Sequence, residues 1–223
     1  MKVKPGGIIL SFDDIFIVEW YNICGLLARY NIKATFYVSN MDRLTNAEWE
    51  MLRNMRASGH CISHHGYRHL RAGVAGMDPN SPDNPRLKGA PFYKTMEEFV
   101  ALDITPGLLA MASNDLFPRH YSYPWGNRTE ESDLALLKIF KSLRKGGLPH
   151  FNPQNPPRVW GSVDFGKNES VQYGGNESKV SYVNKGDIVG VHMHRPIEKR
   201  IIWLAEYAQE YGAKFYTPED IFS

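Results

Sequence analysis

The chain has 223 residues, 43% of them hydrophobic, and a formal net charge of +2. That length suits one α/β barrel, the hydrophobic share argues for a real core and against disorder, and a near-neutral balance without aromatic-interleaved Lys/Arg runs argues against a nucleic-acid surface. No apolar stretch is long enough to span a bilayer and no signal-peptide core follows Met1, so the chain as it stands is expected to be soluble and cytoplasmic, or extracytoplasmic where an export signal has been removed.

Residues 7–14 read as a buried strand, with Gly7-Ile8-Ile9-Leu10-Ser11-Phe12 leading into Asp13 and Asp14. Residues 16–31 read as an amphipathic helix that holds Cys24 as a small buried hydrophobe. Cys24 and Cys61 alone make no disulfide framework. Lys33–Ser39 is a second strand, and Thr45 with Glu48 three residues on predicts a capping box for a helix to about Ala57. Cys61–His64 is a third, short strand. Segment 71–92, rich in Pro, Asn and Gly, reads as an inserted loop. A helix follows over 95–113, with a break expected at Thr105-Pro106-Gly107. Residues 120–123 read as strand and 129–143 as helix. Segment 146–180 is polar, with Val159–Phe165 as its one strand. Its sequons at Asn168 and Asn176 would matter only on a eukaryotic secretory route. Asp187–His192 is a buried strand, Glu198–Tyr211 a helix followed by Gly212, and Lys214–Tyr216 a last strand.

This alternation predicts a mostly parallel sheet with helices outside it, and no repeat or linker divides residues 1–223, which are expected to form one domain. In barrels of this kind the chemistry sits at the C-terminal ends of strands. Asp13, Asp14, His65, His69, Trp125 and His192 all fall at such ends.

Adjacent carboxylates at the exit of a buried strand call for compensating charge. In His65-Gly66-Tyr67-Arg68-His69 the glycine lets the chain coil, and positions i and i+4 of a helical turn lie roughly 5–6 Å apart. His60 and His64 have the same spacing but span an extended strand, roughly 13 Å, too far to share an ion. Two imidazoles and one carboxylate are a usual ligand set for a divalent metal with open positions. The second carboxylate is then free to act as a base on the attacking water. Asp13 and Asp14 face opposite ways if extended, so one binds metal and the other serves as base; the plainer role for Asp14 is the N-cap of helix 16–31. His64 is expected to be packed, and Cys61 to be buried rather than a zinc thiolate. His192 is the candidate acid for a leaving amine, with Asp164 as the carboxylate that would raise its pKa. His194, on the same strand face, is its competitor. These residues read as a metal-dependent hydrolase.

In this order the motifs resemble the polysaccharide deacetylase family (NodB homology, carbohydrate esterase family 4). Ser11-Phe12-Asp13-Asp14 resembles its Thr/Ser-Phe-Asp-Asp motif and His65-Gly66-Tyr67-Arg68-His69 its His-Ser/Thr-x-x-His motif. Ser122-Tyr123-Pro124-Trp125-Gly126 is similar to its Arg-x-Pro-Tyr-Gly region, Asp164-Phe165 to its Asp-Trp pair, and Ile188–His192 to its Leu-x-Leu-x-His strand. The resemblance implies a distorted (β/α)7 barrel and a divalent ion, Zn2+ first, then Co2+, Ni2+ or Mn2+, held by Asp14, His65 and His69. It implies Asp13 as general base, His192 as acid tuned by Asp164, and the backbone N–H of Trp125 as a partner of the metal in stabilising the oxyanion. The implied substrate is an N-acetylated sugar, oligosaccharide or polysaccharide. Four positions depart from the pattern. Ile15 stands for the glycine after Asp-Asp. Gly66 stands for the Ser/Thr that braces the second motif. Ser122 stands for the arginine that orients the base, with Arg119 and Arg128 as possible substitutes. Phe165 stands for tryptophan on the groove wall. These departures leave open a hydrolase of a non-sugar amide, imide or ureide bond, and a non-catalytic carbohydrate-binding barrel.

Overall fold

The computed structural model describes residues 6–74, 93–166 and 177–222. Most of the expected 71–92 loop and both sequons lie outside the described residues.

Among the described residues nine strands follow in order: β1 (Gly7–Asp14), β2 (Thr35–Val38), β3 (Cys61–His64), β4 (His120–Ser122), β5 (Ser142–Gly146), β6 (His150–Phe151), β7 (Val159–Asp164), β8 (Ile188–Met193) and β9 (Lys214–Phe215). Seven of them, β1 to β5 with β7 and β8, run parallel and close into a barrel, because β8 returns to pair with β1 from Gly7↔Ile188 to Phe12↔Met193. The closure is uneven. β1 meets β2 only from Ser11 onward, and β9 pairs with its earlier residues Gly7 and Ile8. β7 meets β8 only at Val163 and Asp164, and antiparallel β6 pairs with Ile188 and Val189 of β8. The two short strands thus satisfy backbone groups at the N-terminal rim that would otherwise be orphaned. The architecture is the distorted (β/α)7 barrel that the motifs imply.

Strands buried on both faces read as apolar runs, and β1 is buried from Gly7 through Asp13. Outside the barrel, Trp20, Leu26 and Leu27 of helix α1 (Ile17–Arg29) and Trp49 and Leu52 of α2 (Asn46–Ala57) join Phe12 and Phe36 in the largest cluster. The Thr45–Glu48 capping box forms as the sequence predicts. Inside, alternation turns one residue in two toward the axis. There Asp13, Ser122, Arg144 and Ser162 are buried and touch one another, and Tyr37 lies under the guanidinium. Serines on the facing strands leave room for the one long side chain.

Two expected helices differ, and segment 146–180, expected to hold one strand, carries β6 as well as β7. The helix over 95–113 does not break at Pro106: Met96–Phe99, a π turn at Val100–Ile104 and Thr105–Ala112 run on as one helical stretch, α3. The wide turn, closed by Thr105 N–H on Val100 O, precedes a proline that sits near the start of the next segment, where its missing N–H costs little. The helix expected over 129–143 ends at Leu136, and Ser142–Gly146 is strand. Leu136 and Phe140 are both buried, so the helical apolar spacing continues past the point where the chain leaves the helix. Gly107 of α3 is dictated by packing, since a Cβ there would overlap Nε2 of His64.

His120 lies buried at the start of β4, its Nδ1 3.0 Å from Ser142 Oγ, its Nε2 without a partner, and Phe222 beside its ring. Burial first, then the charges of Arg119 and Arg56, pushes its pKa down to about 3. The folded state therefore keeps it neutral while the unfolded chain protonates below about pH 6.5, so its contribution to stability is lost as pH falls through that window. His120→Phe is expected to remove this loss. The stability of the variant relative to wild type should rise by about 2 kcal/mol between pH 7 and pH 4.5. Denaturant melts of both proteins at the two pH values check it; a constant difference would contradict it.

Candidate active site

The C-terminal ends of the strands open into a cavity of about 860 Å3 lined by Asp13, Asp14, His65, His69, Trp125 and His192 among others. Asp13 continues the inward face of β1 and is buried, whereas Asp14, at φ +89°, swings its carboxylate to the rim. Asp14 is not a helix cap: Phe16 occupies the N-cap of α1.

Asp14, His65 and His69 each turn a ligand atom to one point, all within 4.8 Å of one another. Oδ1 of Asp14 lies 3.5 Å from Nε2 of His65 and 3.1 Å from Nε2 of His69. Nδ1 of His65 meets the Ser122 carbonyl at 2.8 Å, and because a carbonyl only accepts, Nδ1 carries the proton and Nε2 presents its lone pair. Oδ1 of Asp14 is buried and accepts no hydrogen bond. A lone pair on Nε2 of His65 facing an orphaned, ionised carboxylate oxygen is repulsive without a cation between them. The donor set, two imidazoles and one carboxylate, fits a zinc-type ion with open positions. His194 stands further out, Nε2 3.9 Å from Asp14 Oδ2.

The loop carrying these histidines is braced from below. Asp103 of the π turn accepts from Arg68 N–H at 2.5 Å and Leu70 N–H at 3.4 Å, the amides on either side of His69. His69 sits at φ +59°, a conformation that needs such support. Gly66 has φ +81°, and a Cβ there would run into Asp103. The missing Ser/Thr hydroxyl at position 66 is thus answered by a carboxylate arriving from α3. Burial raises the Asp103 pKa to about 6 despite those amides. His64 and Cys61 are packed, as expected: His64 lies against Tyr121 and Phe140, and burial pushes the Cys61 thiol up to about 12.

Arg144 is the functional residue that sequence reading missed. It lies next to Ser122 in the β4–β5 register, and its Nη2 donates to both Asp13 Oδ2 and Ser122 Oγ. Neither expected substitute reaches the site. Arg128 pairs with Asp133, and Arg119 is exposed at the entry to β4. Burial alone would raise the Asp13 pKa, but Arg144, then His65, His192 and His194, hold it below the ordinary value. Oδ1 of Asp13 is left without a partner.

His192 stands across from Asp13, half-buried. Its Nδ1 meets Ser162 Oγ at 2.9 Å, while Asp164 Oδ2 is 3.9 Å from Nε2 and Asp164 Oδ1 caps Gly166 N–H. Asp164 was expected to raise the His192 pKa. Asp164 and Asp13 do push it upward, but burial and the charge of Arg144 outweigh them and take it down to about 4. Phe165 is not on the groove wall: it is buried, bonds His192 O through its N–H and packs 5.9 Å from Trp203. The aromatic at the mouth is Trp125, 68% exposed at φ +62°, with His69 5.4 Å from its ring and Arg71 over its face. Among the described residues no helix is long and apolar enough to cross a membrane.

A family model described as polysaccharide deacetylase matches residues 1–140. No curated relative matches the chain by sequence. Among solved structures, a family 4 acetyl xylan esterase from Clostridium thermocellum in complex with a cobalt ion is 19% identical at a TM-score of 0.56, covering 96% of this chain and 89% of that one. The Bc1960 peptidoglycan N-acetylglucosamine deacetylase is 18% identical at 0.61, covering 99% and 89%. The chitin deacetylase from the fungal pathogen Colletotrichum lindemuthianum is 14% identical at 0.59, covering 99% and 88%. At these identities the likeness is one of fold.

Proposed function

This chain belongs to the polysaccharide deacetylase family, and on that premise we propose that it is a metal-dependent hydrolase that removes acetyl groups from N-acetylated sugars or glycans, with residues 1–223 as one catalytic domain. The observation that carries this reading is the convergence of Asp14, His65 and His69 on one point, with a carboxylate oxygen that accepts no hydrogen bond. A divalent ion held there, zinc first by its donor set, supplies Lewis acidity toward the acetyl carbonyl and the attacking water. Asp13 is the general base: Arg144 fixes Oδ2 and leaves Oδ1 to take the proton of the water. His192, kept neutral at rest by burial and Arg144, must first take up a proton, which it then delivers to the leaving amine as the C–N bond breaks. The backbone N–H of Trp125 would help to stabilise the developing oxyanion, and its exposed ring offers a flat apolar surface to a sugar.

Hydrolysis of a non-sugar C–N bond is the second reading, resting on Ser122 in place of the base-orienting arginine and on Phe165 in place of the groove tryptophan. The guanidinium that Arg144 brings to Asp13 answers the first departure and favours the sugar reading; the buried Phe165 leaves the second standing. The test is acetate release from short N-acetylated oligosaccharides. Activity should vanish on chelation and return with zinc or cobalt. Activity that survives both chelation and Asp14→Ala would overturn the proposal.

A further inference from the structure

We propose that Ser162 is a positioning residue that joins the base and the acid of this site, its hydroxyl linking the guanidinium that holds Asp13 to Nδ1 of His192. The inference rests on the functional reading above.

Ser162 lies on the inward face of β7, fully inside the barrel. Three groups surround its hydroxyl: Arg144 Nη1 at 2.5 Å, His192 Nδ1 at 2.9 Å and Lys145 O at 3.4 Å. A hydroxyl has one proton to give and two lone pairs to offer. The guanidinium stays charged and only donates, so it takes one lone pair; the Lys145 carbonyl only accepts. Two arrangements remain. With the Ser162 proton on Lys145 O, the hydroxyl accepts Nδ1–H of His192. With the proton turned to Nδ1, His192 must carry its own proton on Nε2.

Only the first arrangement suits an acid. His192 as imidazolium has a proton on each nitrogen. When Nε2–H passes to the leaving amine, the neutral ring keeps Nδ1–H, and Ser162 accepts it before and after the transfer. One serine thus serves both protonation states with no side-chain movement. The carboxylate of Asp164 does not serve Nδ1: it stands 3.9 Å from the other nitrogen. Among the described residues, the charged and titratable groups facing His192 are Asp13 from β1, Arg144 from β5, Asp164 from β7 and His194 just past the end of its own strand. Ser162 is the element among them that touches both Arg144 and the ring.

The experiment compares wild type, Ser162→Ala and Ser162→Thr. In zinc-free protein, 15N spectra of the ring nitrogens read the His192 tautomer and titration. In zinc-loaded protein, kcat and KM are read across pH. Ser162→Ala is expected to change the His192 nitrogen shifts and move a limb of the kcat profile. It should also lower kcat about tenfold at unchanged KM, the size of one lost hydrogen bond. Ser162→Thr, which keeps the hydroxyl, should restore most of this. An alanine variant with wild-type nitrogen shifts and a wild-type pH profile would overturn the proposal. So would a threonine variant as impaired as alanine while its fold and zinc content match wild type. Absence of acetate release by wild type would strike the functional reading alone, and the nitrogen shifts would still decide the role of Ser162.

Discussion

Asp13→Asn is expected to bind one equivalent of zinc as wild type does and to lose turnover by about 10²–10⁴-fold, the range for a removed general base. Asparagine keeps the volume and an oxygen for Arg144, so the barrel and the ligand set Asp14, His65 and His69 should stand. What it removes is the ability to take a proton at the atom left free, Oδ1. Zinc stoichiometry and kcat measured on the same preparation separate the two roles. Loss of zinc with Asp13→Asn would mean that the two aspartates have been assigned the wrong way round.

The second large effect belongs to Arg144. Its guanidinium and the Asp13 carboxylate are both buried, and removal of one partner of a buried pair leaves an uncompensated charge that typically costs about 3–5 kcal/mol. Arg144→Met should therefore destabilise the fold by that order and lower kcat/KM on the order of a hundredfold, because the base is no longer held. Stability alone does not show that the arginine serves the reaction. The register Ser122↔Arg144 supplies the control: Arg144→Ser combined with Ser122→Arg returns a guanidinium to the same interior from the adjacent strand. The double variant should recover most of the lost activity. An Arg144→Met protein with wild-type kcat/KM would contradict the role.

Much of the site could be read from the sequence because its chemistry is local. Two carboxylates at the exit of an apolar strand and two histidines around a glycine state their purpose within a few residues. The parallel sheet with helices outside it followed from alternation, and the Thr45–Glu48 box appeared where its spacing placed it. The parts that were not legible depend on contacts across the barrel. β5 is five residues, Ser-Leu-Arg-Lys-Gly, with two basic residues and a preceding apolar pattern that continues the helical period. Its loss hid Arg144, because an arginine just past an expected helix has no reason to face a strand end far away in sequence. The compensation at position 66 was hidden likewise: a glycine there looks like a lost hydroxyl until Asp103 arrives from α3. Phe165 follows an inward Asp164, so alternation alone turns it into the core. The pKa of His192 moved against expectation because burial and the unforeseen arginine outweigh the foreseen carboxylate.

If Asp14, His65 and His69 grip one ion, a zinc-soaked crystal measured on both sides of the zinc absorption edge will reveal it. One strong anomalous peak is expected roughly 2.0–2.2 Å from Asp14 Oδ1, His65 Nε2 and His69 Nε2, absent from Asp14→Ala. An empty position between these three atoms, or an ion held by other side chains, would contradict it.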